Sequence, residues 1–167
     1  MNNFSAKVLT KTAVIAALYA LCTILFAPIS YGAVQFRISE SLCVLAFFYP
    51  EAVFGLTVGC FIANLFGNGP LDIILGTLAT LIASSLSFLV AKKIKNAVLK
   101  FIVCSLFPII INAILVPFTF LVITELKALY LISSLQVLFG QAVVIFTLGA
   151  LLFFALNKRE NALNKRL

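Results

Sequence analysis

The 167-residue chain has no histidine and only 10% charged side chains, where soluble domains carry about 25%. Without histidine and without a CxxC spacing, Cys22, Cys43, Cys60 and Cys104 have no partners for a zinc site. They read as small apolar side chains inside apolar runs. No HExxH, nucleophile–base pair or paired-acid motif is present, which argues against an enzyme, and no GxxxxGK[ST] loop offers a nucleotide site. Metal and cofactor chemistry are therefore not called for.

What fills the chain instead is apolar: 63% of its residues are hydrophobic, with long runs at about 8–27, 71–91, 98–123 and 128–156. Each approaches or exceeds the ~20 residues that cross a bilayer core as a helix. The alternation of apolar and polar residues that marks a membrane barrel is missing. The expected class is an all-α integral membrane protein. The first run is longer than the ~7–15 apolar residues of a signal peptide and shows no clear cleavage site, so it is expected to remain as a span.

A net charge of +7 raises nucleic acid as a partner, and the placement of the cations argues against it. Ten of the twelve fall in three clusters: Lys7 and Lys11; Lys92, Lys93, Lys95 and Lys100; Lys158, Arg159, Lys165 and Arg166. All three lie on the cytoplasmic side of a plasma membrane if the positive-inside rule holds. That requires an even number of passes before residue 92. The apolar stretch 38–66 is interrupted by Tyr49-Pro50-Glu51 and therefore divides into two short helices, 38–49 and 51–66. Pro50 and Glu51 suit a helix start, with Glu51 read as a first-turn capping acid. The expected architecture is one domain, 1–167, of six transmembrane helices (8–27, 38–49, 51–66, 71–91, 98–123, 128–156) with both termini cytoplasmic. The helix 38–49 is too short to cross unaided at ~1.5 Å per residue and must shelter among the others.

In that topology the outer side receives Gln35, Arg37, Glu40, Asn64, Asn68, Asp72, Glu125 and Lys127, with Asn112, Gln136 and Gln141 further in. Charges near the bilayer centre cost roughly 2.5–3.5 kcal/mol each, so their gathering points to an outward-opening pocket. Plainer roles stay open for each. Arg37 and Glu40 are spaced for an i,i+3 ion pair, Asp72 for the first turn of a helix, and the amides for hydrogen bonds between helices. On the first span Ala13, Ala16, Ala17 and Ala20 form two small-xxx-small pairs, a surface for close approach by another helix of this chain or of a partner.

The segments VQFRISESL (34–42), PEAVFGLTVGCFIANL (50–65) and LDIILGTLATLIA (71–83) together resemble the QueT family. These are substrate-binding S-components of energy-coupling factor (ECF) transporters for queuosine precursors. The resemblance implies a six-helix S-component bundle in the bacterial plasma membrane that captures its solute from outside. It also implies docking of Ala13 and Ala17 on a transmembrane coupling subunit, and two cytoplasmic ATPases as the energy source. The ligand it implies is a 7-deazaguanine, preQ1 or queuine. Such a base offers two parallel donors, and Glu40 is the first choice to accept them as a bidentate pair. Arg37 would orient that carboxylate or bond the ring oxygen, Gln35 and Asn112 would read other edges, and Asp72 would meet an aminomethyl cation. Asn64, Gln136 and Gln141 complete the expected substrate-binding set. Gln141 departs from the glutamate expected after glycine in the last helix, which leaves the choice between preQ1, queuine and another deazapurine open. A different vitamin-like solute and a stand-alone secondary transporter are the alternatives.

Overall fold

The computed structural model describes residues 6–32, 34–67, 69–124 and 126–164. Asn68, Glu125, Lys165 and Arg166, assigned above to loops and to the terminal cluster, lie outside them. Helices account for nearly everything: α1 (Ala6–Leu25), a single turn α2 (Ala27–Ser30), a 3₁₀ helix (Ile38–Phe47), α3 (Pro50–Leu65), α4 (Pro70–Ala91), α5 (Ala97–Leu115), α6 (Phe118–Thr124), α7 (Lys127–Val144), a π turn (Ile145–Gly149) and α8 (Ala150–Asn164). No strand occurs among the described residues. Among the described residues four stretches are long and apolar enough to cross a membrane, namely Ala6–Leu25, Pro70–Ala91, Ala97–Leu115 and Lys127–Leu163; the 3₁₀ helix and α3 are shorter.

Local chemistry sets several boundaries. Pro50 and Pro70 open α3 and α4 at the first helical position, where the missing N–H would have had no partner. The Asn96 side chain caps α5 by accepting from the Leu99 N–H at 3.0 Å. The expected helix 98–123 is divided at Val116-Pro117, because proline cannot donate to the ladder and its ring crowds the carbonyl four residues back. Asn112, placed deep in the bilayer by the unbroken reading, is therefore within one turn of the end of α5.

The segment expected as helix 38–49 is a ten-residue 3₁₀ helix. Runs beyond 3–4 residues are uncommon, and a rise of ~2.0 Å per residue stretches it to ~20 Å. Tertiary contacts hold it there. Ser39 Oγ lies 2.7 Å from Thr23 Oγ1 of α1, and Glu40 accepts from Tyr19. Ser39, Glu40, Cys43, Val44, Ala46 and Phe47 are all buried, so this helix shelters inside the bundle.

Contacts also give the course of the chain. The 3₁₀ helix runs antiparallel to α1, from Thr23–Ser39 at one end to Lys11 against the Tyr49 ring at the other. α3 then runs parallel to α1, with Glu51 beside Lys11 and Gly59 against Tyr19. α4 returns, Asn64 meeting Asp72 near its start, and α5 reverses again, with the Ser87 hydroxyl on the Cys104 carbonyl at 2.9 Å. At the end where α1 begins, Phe48, Phe101, Phe153 and Phe154 pack with ring centroids 5.2–5.7 Å apart. Lys100 and Lys92 lie over the rings of Phe48 and Phe88 at 6.0 and 4.1 Å. The same end holds the one ion pair among the described residues, Lys11 Nζ to Glu51 Oε1 at 2.6 Å. Glu51 stands in the first turn of α3, as the sequence pattern expected, and also binds Lys11.

The alanine stripe divides between two faces. Ala16 and Ala20 are buried against α3, which approaches so closely that a Cβ on Gly59 would stand 2.7 Å from the Tyr19 Cβ and 2.8 Å from the Ala16 carbonyl. Small residues permit this contact between backbones. Of the two occupants left open for the stripe, a helix of this chain takes the inner pair, Ala16 and Ala20, while Ala13 and Ala17 are exposed.

Candidate functional site

At the end away from the lysines, the link between α2 and the 3₁₀ helix carries Tyr31, Gln35 and Arg37. Gln35 has a left-handed backbone (φ 48°), unfavourable by about 1–2 kcal/mol for a residue with a Cβ. The link rests directly on α7. A Cβ at Gly140 would come within 2.2 Å of the Val34 carbonyl oxygen and 3.0 Å of that of Gln35. Tyr31 ties the link to α3 by donating its hydroxyl to the Ala63 carbonyl at 2.6 Å.

Beneath this link lies a buried polar layer. Arg37 Nη2 donates to Asn64 Oδ1 at 2.7 Å, its guanidinium stands 5.5 Å from the centre of the Tyr31 ring, and its buried Nε has no partner. The Arg37–Glu40 ion pair left open by their spacing is not formed among the described contacts. Glu40, 1% exposed, accepts from the Tyr19 hydroxyl on Oε1. Its Oε2 faces Cys43 Sγ at 3.0 Å and Asn112 Nδ2 at 3.4 Å. Asn64 turns its amide nitrogen toward Cys60 Sγ and the Asp72 carbonyl, both at 3.4 Å. Arg37, Asn64 and Asp72 are thereby linked, as are Glu40 and Asn112.

Above the layer opens a cavity of about 670 Å³, walled by the 31–35 link, the start of α4, the 116–123 segment and α7. That volume suits a small organic solute, for which pockets run roughly 300–1,000 Å³. Its walls are mainly apolar, with Gln35, Asp72, Thr119, Ser133 and Gln136 as side-chain polar groups and Tyr31 as the aromatic one. Of the residues expected in a substrate site, Gln35, Asp72 and Gln136 line this space. Arg37, Glu40, Asn64 and Asn112 form the layer below, outside the lining. Gln141 is buried on α7 with its Oε1 unpartnered, also outside the lining. Lys127 is exposed.

Sequence reasoning missed Tyr19 and Thr119. Tyr19 had a signal: it is three residues from Ala16 and four from Thr23, so it shares the small-residue face that packs inward. Thr119 had none, since its position follows from the break at Pro117.

A family model described as "QueT transporter" matches residues 9–158. A protein of Lactococcus lactis subsp. cremoris (strain MG1363) described as "Queuosine precursor transporter QueT" is 40% identical over 86 residues, 50% of this chain and 51% of that protein. The match thus spans about half the length of that curated relative. No solved structure matches the chain.

Proposed function

Because the chain belongs to the QueT transporter family, we propose that it captures a queuosine precursor of the 7-deazaguanine class, preQ1 or queuine, from outside the cell. It does so as the substrate-binding component of an ECF importer, handing its solute to a transmembrane coupling subunit powered by two cytoplasmic ATPases. The observation that carries the reading is the cavity of about 670 Å³ at the end of the bundle opposite the lysine clusters. With the lysines cytoplasmic, that cavity faces outward. The chain is a multi-pass membrane protein, and the alternating course of α1, the 3₁₀ helix, α3, α4, α5 and α7–α8 supports six passes with both termini inside.

A flat base with adjacent N–H and amine donors needs acceptors and a stacking face. Gln35 and Gln136 line the cavity and supply amide oxygens, and the Tyr31 ring supplies the face. Arg37, Glu40, Asn64 and Asn112 make the polar layer that holds those walls in place. Ala13 and Ala17 are the surface left for the coupling subunit.

The test is calorimetric binding of preQ1, queuine, guanine and riboflavin to the purified chain, followed by uptake with and without the ATPase partners. Binding of a deazapurine in preference to riboflavin, with uptake only in the complete assembly, is the expected result. Binding of no purine overturns the substrate class. Uptake by the chain alone in proteoliposomes overturns the coupling and favours a stand-alone carrier.

A further inference from the structure

Among the described residues, Asp72 is the only charged one lining the cavity. It stands in the first turn of α4, where its N–H bonds to the Gly69 carbonyl at 3.1 Å and where the helix terminus favours a negative group. From the facing wall the Thr119 hydroxyl lies 2.7 Å from Asp72 Oδ1 and 3.0 Å from the Val116 carbonyl. The shorter contact, to an ionised acceptor, is the stronger claim on its single proton. Among the described residues no lysine or arginine forms an ion pair with Asp72. The nearest buried cation, Arg37, is turned to Asn64. Its neighbours Gln35, Ser133 and Gln136 are neutral, and the Tyr31 proton is committed to Ala63.

A half-buried carboxylate in a largely apolar cavity, with no ion-pair partner among the described residues, is complementary to a cation brought in by the ligand. We propose that Asp72, positioned by Thr119, makes the cavity select bases that carry a protonated amine. A 7-aminomethyl-7-deazaguanine is accepted and its neutral 7-cyano counterpart is refused. The nitrile has the same ring and similar length, yet offers only an acceptor, which the carboxylate repels; the ammonium donates up to three hydrogen bonds. This rests on the cavity being the deazapurine site.

The experiment is a calorimetric comparison of the 7-aminomethyl and 7-cyano bases on the full chain and on Asp72→Asn, Thr119→Val and Thr119→Ser. A charge-assisted bond is strong enough to give the parent a preference of about tenfold or more for the amine. Asp72→Asn abolishes that preference, Thr119→Val narrows it, and Thr119→Ser retains it. The affinity ratio is the readout because a general loss of packing lowers both affinities together; should Asp72→Asn not fold, the Thr119 pair carries the test. Equal binding of the two bases by the parent, or an undiminished ratio in Asp72→Asn or Thr119→Val, overturns the proposal while leaving the site reading intact. Failure of the parent to bind either base overturns the site reading.

Discussion

Tyr19 of α1 donates its hydroxyl to Glu40 at the head of the 3₁₀ helix, so one apolar span and the most polar segment of the chain are joined deep inside the bundle. Both side chains are at most 1% exposed. A bond in that setting has no water to replace it, and leaving one partner unmet costs about 1–3 kcal/mol.

Tyr19→Phe is therefore expected to lower the thermal midpoint by several degrees, at about 2–4 °C per kcal/mol for a chain of this size. Glu40→Gln keeps only one acceptor oxygen, so either Tyr19 or the Asn112–Cys43 pair loses its acceptor, and it is expected to cost as much again and to weaken deazapurine binding. A thermal melt of each variant with and without ligand is the check. An unchanged melt in Glu40→Gln would contradict the buried network.

Gly59→Ala tests the α1–α3 seam. Its new Cβ would stand 2.7 Å from that of Tyr19 and 2.8 Å from a carbonyl, neither of which can swing aside, and overpacking of this kind costs about 1–3 kcal/mol. Gly149→Ala, inside a helical segment and with its nearest neighbour, Val44 Cγ1, at 3.4 Å from the new Cβ, is the control expected to keep the parent's melt.

Ala13→Trp or Ala17→Trp places bulk on the exposed face of α1 and is expected to abolish uptake while the purified protein still binds ligand. Ala16→Trp, aimed at α3, is expected to destabilise the chain itself. Equal loss of binding in all three would remove the distinction between the outer and inner alanine pairs.

Topology is tested by single cysteines in a cysteine-free background. A cysteine at Pro50 is expected to resist an impermeant thiol reagent applied from outside, and one at Gly69 to react. Labelling of position 50 from outside would end the six-pass arrangement.

Periodicity and charge made much of this legible. Apolar runs 8–27 and 71–91 lie within two residues of α1 and α4, whereas 98–123 breaks at Val116-Pro117 and 128–156 stops short of the end of α8 at Asn164; Tyr49-Pro50 marked the turn between the two short helices. Of the polar residues, Gln35, Asp72 and Gln136 share one cavity, and Arg37 with Asn64 and Glu40 with Asn112 are joined by hydrogen bonds outside its lining. What the sequence could not carry was side-chain direction. Glu40 and Asp72 look alike as carboxylates near the outer end, yet one is enclosed by Tyr19, Cys43 and Asn112 and the other opens on the cavity. Nothing local distinguishes them; the difference arises where α1 and α5 close over the 3₁₀ helix. The 3₁₀ winding was likewise invisible, because Ile38–Phe47 has the composition of an ordinary buried helix and is stretched by its neighbours.

The hydrogen atom that Gly140 carries in place of a side chain lets one wall of the cavity seat against α7. The Val34 and Gln35 carbonyls lie on that bare backbone as a plate on a smooth rail. A methyl group at 140 would act as a wedge, forcing those carbonyls off α7 and with them Gln35, which lines the cavity. The reach of the cavity's reading groups is thus decided by a residue that touches no solute.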